Sequence, residues 1–380
     1  MIETVPRHLF VPDRALAMPD SDEPNYPIDR HARPEEWRAA VESNTAIITQ
    51  VDDGADDGGG LFTSSCSAPA TVRDFLSALD LRDHDQVLEI GTGTGWTAAL
   101  ISYRVGPQNV TSIEIDPDVL GQAEKNLQQA GYLPHLMLGD GMIGHPDGAP
   151  YDRVHVACGV CDVPHAWVEQ TRPGGVIVLP WNPLYGNGHM ARLTVVRNGM
   201  AVGRLLAFAN YMIARNQRIP GRSVSSYTAG TEPVHSSTGL DPRTVAWDSY
   251  GADIAIGALV PGVEKRMCAA DDDSGEWTFW LLEPATGSWA SVDYEPDRAQ
   301  FAVEQWGPRR LWDETAAAYL QWVSWGSPAQ DRYGITVTPQ GQTIWLDSPD
   351  NPIKPTRLLS YEGEAAGIVS GPGRYATGCA

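Results

Sequence analysis

A mostly parallel α/β sheet closed by an antiparallel hairpin, with a second and smaller α+β domain behind it, is the fold class this 380-residue sequence predicts. Three observations predict it. Apolar strand candidates alternate with amphipathic helix-length segments from Pro69 to Leu179, the pattern of right-handed βαβ units. One of these strands, Val87-Leu88-Glu89-Ile90, runs directly into the glycine-rich turn Gly91-Thr92-Gly93-Thr94-Gly95. Beyond residue 237 the character changes to short aromatic-rich strands.

Taken in order, Val72, Phe75, Leu76 and Leu79 recur at helical spacing and predict a helix from Pro69 to Leu79. Trp96 to Val105 reads as the helix after the glycine turn, and Thr111 to Ile115 as the second strand. Asp116 is a candidate N-cap with Pro117 at the first helical position. Val119, Leu120, Ala123, Leu127 and Ala130 then line one face until Gly131 ends the helix. Leu136 to Leu138, Arg153 to Ala157 and the run from Gly174-Gly175 to Leu179 supply three further strands. Ala191 to Val196 and Gly203 to Ala209, joined by Arg197-Asn198-Gly199, predict the closing hairpin.

A polar stretch, residues 221–237, predicts a linker. It separates an amino-terminal substrate-side segment (1–75) and a sheet core (76–220) from an α+β domain (238–380). That last domain holds strand candidates Trp277 to Leu282, Ser288 to Tyr294 and Gln300 to Trp306, a helix from Arg310 to Trp325, and a hairpin of Gly334 to Thr338 and Gln342 to Leu346. It carries nine of the thirteen tryptophans, which either build a small core or present an aromatic peptide-binding surface.

The glycine turn defines a candidate ligand site. Glycines allow a sharp turn and a close backbone approach to a ligand, and Glu114, nineteen residues beyond Gly95, is spaced to bind ribose hydroxyls. A dinucleotide fingerprint needs G-x-G-x-x-G, whereas here the third glycine comes one residue early and Trp96 fills the expected slot. The pattern E-x-G-x-G-x-G suits S-adenosylmethionine, which has no phosphate. Gly139-Asp140-Gly141 ends the third strand with a carboxylate able to accept from the adenine amine. The predicted cofactor-binding set is Glu89, Gly91, Thr92, Gly93, Gly95, Glu114, Ile115, Asp140 and Gly141.

Composition narrows the function classes. A formal net charge of −21 argues against a nucleic-acid partner, because phosphate-backbone binders gather Lys and Arg into patches. The amino terminus has neither a basic nor an apolar signal region, and no stretch approaches the ~18 apolar residues of a membrane span, so a cytoplasmic location is expected. Five cysteines in no scaffold spacing fit a reducing compartment. Cys158-Gly159-Val160-Cys161 is formally C-x-x-C without a second pair for zinc; a redox role and a small-residue turn beside the ligand site are its two readings, and no metal is expected.

Several of these residues together resemble the protein-L-isoaspartate O-methyltransferases. Val5-Pro6-Arg7-His8-Leu9-Phe10-Val11-Pro12, Ser67-Ala68-Pro69, Val87 to Gly95, Glu114, Gly139-Asp140-Gly141 and Gly174-Gly175 carry the resemblance, over roughly residues 1–215. It implies a Rossmann-like class I methyltransferase sheet, S-adenosylmethionine as cofactor with S-adenosylhomocysteine as product, and Ser67 beside the substrate carboxylate. Capping of the following helix is the other role open to Ser67. Arg7, Arg33 and Arg73 are candidates for the local positive charge a carboxylate substrate needs.

The chain also departs from that family. Ala70 replaces a common histidine, Thr63 to Ser67 is serine-rich, and about 150 residues are added at the carboxyl end. These features are similar to a subfamily that modifies ribosomally made graspetide and lanthipeptide precursors, esterifying an aspartate that then closes to aspartimide. The resemblance therefore implies a crosslinked precursor peptide as partner, with isoaspartyl-peptide repair as the close alternative. A non-catalytic binding protein with a vestigial pocket is the remote one.

Overall fold

The structure, a computed structural model, describes residues 2–19, 23–56, 58–219 and 223–355. Ahead of the predicted sheet the chain builds a layer that periodicity does not signal. β1 (Arg14–Pro19), β2 (Tyr26–Asp29), β3 (Thr45–Val51) and β4 (Phe62–Cys66) form an antiparallel sheet in the order β2-β1-β3-β4, with α1 (Pro34–Glu42) between the second and third strands. β4 reads Phe-Thr-Ser-Ser-Cys, and a strand so polar shows no apolar alternation even though Ser64 and Cys66 are buried.

Next come α2 (Pro69–Leu79), β5 (Val87–Ile90), α3 (Trp96–Val105), β6 (Val110–Glu114), α4 (Pro117–Ala130), β7 (His135–Leu138), β8 (Tyr151–Val156), α5 (His165–Glu169), β9 (Thr171–Trp181), β10 (His189–Val196) and β11 (Met200–Phe208). The three helices α2, α3 and α4 occupy the predicted residues. Asp116 caps α4 as expected, its carboxylate accepting from the amides of Asp118 and Val119 at 3.0 and 3.1 Å, and Gly131 ends it at φ 80°.

The remaining elements are α6 (Val224–Thr228), β12 (Val234–Thr238), α7 (Pro242–Trp247), α8 (Tyr250–Leu259), β13 (Glu264–Ala269), β14 (Trp277–Glu283), β15 (Ser288–Tyr294), β16 (Phe301–Trp306), α9 (Leu311–Ser324), β17 (Tyr333–Thr338) and β18 (Gly341–Leu346). The large sheet runs β18-β17-β11-β10-β9-β8-β5-β6-β7. Its five strands from β9 to β7 are parallel, and β10, β11 and β17 are antiparallel. The chain order reverses between β5 and β8, and in open α/β sheets such a reversal opens a crevice at the carboxyl ends of the strands.

Two compact units result, and their boundaries differ from the sequence expectation. The first comprises Met1–Trp181, His189–Gln217 and Gly334–Thr343; the second comprises Asn182–Gly188, Arg218–Tyr333 and Ile344–Ala380. The hairpin expected in the carboxyl-terminal domain instead gives β17 to the edge of the first unit's sheet, Ala201 to Arg204 pairing with Val337 to Gly334. An exposed sheet edge favours pairing with whatever strand can reach it, and local sequence does not say which edge that is. The predicted linker is also structured where described, since α6 and β12 lie within it and β12 pairs with β16.

In the second unit, β12-β16-β15-β14-β13 form an antiparallel sheet. Trp280, Trp289, Trp312, Trp322 and Trp345 are buried and build core, whereas Trp247 is exposed and packs on the ring of Trp277 at 4.6 Å. No helix among the described residues is long and apolar enough to cross a membrane. Cys66, Cys158 and Cys161 are not disulfide-bonded, but Cys268 is, so the cysteine count does not by itself argue for a reducing compartment.

Candidate functional site

The glycine turn leaves β5 by folding over the end of β6. The amides of Gly91 and Thr92 donate to the Ile113 carbonyl at 2.9 and 3.3 Å. Gly95 sits at φ 87°, and a Cβ there would come within 3.0 Å of Leu127 on α4, so helix packing as well as backbone shape requires glycine. Gly141 is fixed by contact alone, since a Cβ would lie 2.5 Å from the Ile90 side chain. The ideal Cβ position of Gly91 is 3.6 Å from Ala157, which follows β8, and this sets the turn at the sheet's point of reversal.

Beneath the turn lies a buried polar chain. Thr92 Oγ1 is 2.7 Å from Ser112 Oγ, which donates to Glu89 Oε2 at 2.6 Å; the other Glu89 oxygen is 3.6 Å from His155 Nδ1. Glu89 has no exposed surface, so it braces the turn from below. Glu114 faces the turn from the end of β6. Gly93 N–H donates to its Oε2 at 2.9 Å, and the Ile115 and Asp116 amides donate to Oε1 at 2.9 and 3.1 Å. A carboxylate offers about four lone-pair positions, and three backbone donors leave about one for a ribose hydroxyl. Burial pushes the Glu114 carboxyl above its ordinary value, against the pull of those amides.

Asp140, at the end of β7, accepts from the Met142 amide at 2.9 Å on one oxygen and from the Asn216 side-chain amide at 2.6 Å on the other. A cradle of glycines with positive φ, flanked by one carboxylate at the end of β6 and another at the end of β7, fits an adenosyl group without phosphate. Glu114 and Asp140 are the two acids whose spacing matched ribose and base in the sequence.

Ser67 directly follows β4, which runs against the turn, the Ser65 carbonyl lying 3.5 Å from the ideal Cβ position of Gly93. Ser67 does not cap α2; the N-cap is Ala68, with no side-chain cap bond. The Ser67 side chain instead lies beside the phenol of Tyr211, whose ring packs on Phe75 at 5.1 Å. Burial raises the Tyr211 phenol well above its ordinary value and keeps it neutral.

The candidate arginines resolve differently. Arg7 is buried, and its guanidinium donates to the carbonyls of Val41 (2.9 Å), Ser43 (3.5 Å), Thr45 (2.7 Å), Cys66 (2.9 Å) and Ser67 (3.0 Å) while stacking 5.3 Å over Trp96. It positions the Ser67 backbone and does not face a substrate. Arg33 pairs with Glu36 and Arg73 with Asp74 at the exposed surface.

Residues 211–217 are the part of the site that sequence reasoning missed. Met212 and Gly159 carbonyls exchange hydrogen bonds with the Gly159 and Ala214 amides at 2.8 Å each, tying this segment beside β8. Arg215 then reaches Asp53 at 2.8 Å and Asp116 at 3.0 Å, and Gln217 accepts from the Cys161 and Asp162 amides at 2.7 and 3.0 Å. The Cys158 to Cys161 stretch is thus an extended connection held by this strap, with isolated bridges from Gly159 to Ile213 and from Val160 to Trp181. The available signal was the polar cluster Arg215-Asn216-Gln217 just after the last apolar strand, which on its own looks like loop.

A parallel sheet with a glycine turn at its point of reversal, acids ending the next two strands and a closing antiparallel hairpin defines the Rossmann-like fold of the S-adenosylmethionine-dependent methyltransferases. The model of the family described as protein-L-isoaspartate(D-aspartate) O-methyltransferase (PCMT) matches residues 44–216. The protein-L-isoaspartate O-methyltransferase of Thermococcus onnurineus (strain NA1) is 42% identical over 127 residues, 31% of this chain and 57% of that protein. Protein-L-isoaspartate O-methyltransferase 1 of Archaeoglobus fulgidus is 34% identical over 181 residues, 47% of this chain and 68% of that protein. A solved structure of a protein-L-isoaspartate O-methyltransferase shares the fold with a TM-score of 0.50 and 20% identity, over 90% of this chain and 92% of its own. This chain belongs to the protein-L-isoaspartate O-methyltransferase family. It spans a little over half the length of the curated relatives most similar to it.

Proposed function

We propose that this chain transfers a methyl group from S-adenosylmethionine to the free α-carboxylate of an isoaspartyl residue in a peptide or protein, releasing S-adenosylhomocysteine. The observation that supports the reading is the approach of β4 to the glycine turn, the Ser65 carbonyl, two residues before Ser67, lying 3.5 Å from the ideal Cβ position of Gly93. The cofactor supplies an electrophilic methyl on sulfur and a neutral thioether leaving group. The carboxylate is already ionised at neutral pH, so no catalytic base is required. The protein's task is alignment, with oxygen and methyl about 3 to 3.5 Å apart in a site shielded from water. One carboxylate oxygen is held by Ser67, which Arg7 fixes through its carbonyl and which lies beside the Tyr211 phenol.

Once esterified, the ester carbonyl is open to attack by the next backbone nitrogen of the substrate, which loses its proton as methanol leaves and gives a five-membered imide without further help. Selectivity therefore lies in choosing the carboxylate. The test is methyl-labelled cofactor offered with paired isoaspartyl and aspartyl peptides. Base-labile label on the isoaspartyl member is expected, and base-stable label, as on nitrogen, refutes the reading.

A second reading, esterification of one aspartate in a crosslinked ribosomal peptide followed by aspartimide formation, is favoured by the second compact unit, which gives room to read a folded substrate. The isoaspartyl reading comes first because a solved chain bearing that family's name matches 90% of this one, so an additional unit is not in itself a mark of tailoring. Refusal of every short isoaspartyl peptide, with turnover of a modified precursor, would reverse the order. Deleting residues beyond 235 is not a clean test of the second unit, because it also removes β17 from the first.

A further inference from the structure

We propose that Asn216 is an adenine-recognition residue, acting with Asp140 to select a 6-amino purine; the proposal rests on the cofactor reading above and adds a residue to it. Asn216 lies in the strap after β11, far in sequence from the glycine turn, yet its side-chain amide donates to Asp140 Oδ2 at 2.6 Å. Asp140 Oδ1 is held by the Met142 amide at 2.9 Å. The two donors fix the plane of the carboxylate, and each oxygen keeps lone-pair capacity for a further donor.

The Asn216 amide is planar, so once its nitrogen is committed to Asp140 its own carbonyl oxygen is held beside that carboxylate. An exocyclic amine has two hydrogens, and a carboxylate paired with an amide carbonyl offers two adjacent acceptors. A 6-oxo purine presents an acceptor at that position and leaves both without a partner, a mismatch that costs on the order of one hydrogen bond at this partly exposed pair. The strap is anchored on both sides of Asn216, by Arg215 to Asp53 and Asp116 and by Gln217 to the amides of Cys161 and Asp162. Asn216 is thereby presented to the base by fixed neighbours and does not depend on its own contact for placement.

The test is calorimetric affinity of the full chain for S-adenosylhomocysteine and for S-inosylhomocysteine, which differs in the purine 6-substituent. Wild type should prefer the adenosyl form. Asn216→Ala should reduce that preference by about tenfold, mainly through weaker adenosyl binding, the size of one hydrogen bond. Arg215→Gln, which loosens the strap without touching the base, should weaken both ligands and leave the ratio unchanged. Equal weakening of both ligands by Asn216→Ala reduces the residue to a strap contact and overturns the proposal, as does no change at all. Failure of wild type to bind either nucleoside removes the cofactor reading itself, and the proposal with it.

Discussion

Arg7→Lys separates a substrate-facing cation from a positioning one. The charge is kept, so a residue that merely attracts a carboxylate would survive the change with a modest rise in KM. The geometry gives another result. Five carbonyls, those of Val41, Ser43, Thr45, Cys66 and Ser67, converge on one buried guanidinium. An ammonium has three donors, so at least two carbonyls lose their partner, at about 1 to 3 kcal/mol each when buried. Loss of the stack over Trp96 adds about 1 kcal/mol. A destabilisation of at least about 3 kcal/mol is expected. Because the chain has two compact units, global unfolding is not expected to be two-state. The suitable readout is hydrogen exchange of β3 and β4 amides in increasing urea, which reports the first unit alone. The same variant should lower kcat, since the Ser67 carbonyl is one of the five. Exchange free energies within 0.5 kcal/mol of wild type, with an effect on KM only, would refute the positioning role.

Three further outcomes test the site. Glu114→Ala and Asp140→Ala should each raise the S-adenosylhomocysteine dissociation constant about tenfold or more; in wild type, affinity should weaken on acidification beginning above 4.5, because burial raises the Glu114 carboxyl, and Glu114→Gln should remove that dependence. Ser67→Ala should slow methyl transfer at unchanged cofactor affinity, and Tyr211→Phe should do the same to a smaller degree; a loss of cofactor binding in either places these hydroxyls wrongly. His189 is buried in β10 and its imidazole is pushed down to about 4 by desolvation. The unfolded chain therefore binds the extra proton between about pH 6.5 and 4, so stability of the first unit should fall across that window by about 3 kcal/mol as pH drops, and His189→Gln should flatten the curve.

Local signals carried the central sheet. Helical periodicity gave α2 and α4, the position after the glycine turn gave α3, and the Asp116-Pro117 start and Gly131 stop are chemistry confined to a few neighbouring residues. The glycine turn and Glu114 were equally legible, because the positive φ at Gly91, Gly93 and Gly95 and the strand-end carboxylate are each fixed within a short stretch. The weak points were all long-range. β4 was invisible because its residues are mostly polar while Ser64 and Cys66 are buried by partners elsewhere in the chain, and Arg7 read as a candidate substrate-facing charge although five carbonyls close around it.

The sequence by itself determined the parallel sheet, the turn that shapes its crevice and the acids that flank it, since backbone preference and side-chain period act over a few residues. Tertiary structure alone decided that β17 returns to the first sheet, that Tyr211 meets Ser67, and that Asn216 meets Asp140 across 76 positions. Those contacts depend on which edge is left open and where the chain passes over it, and neither is encoded in any one segment.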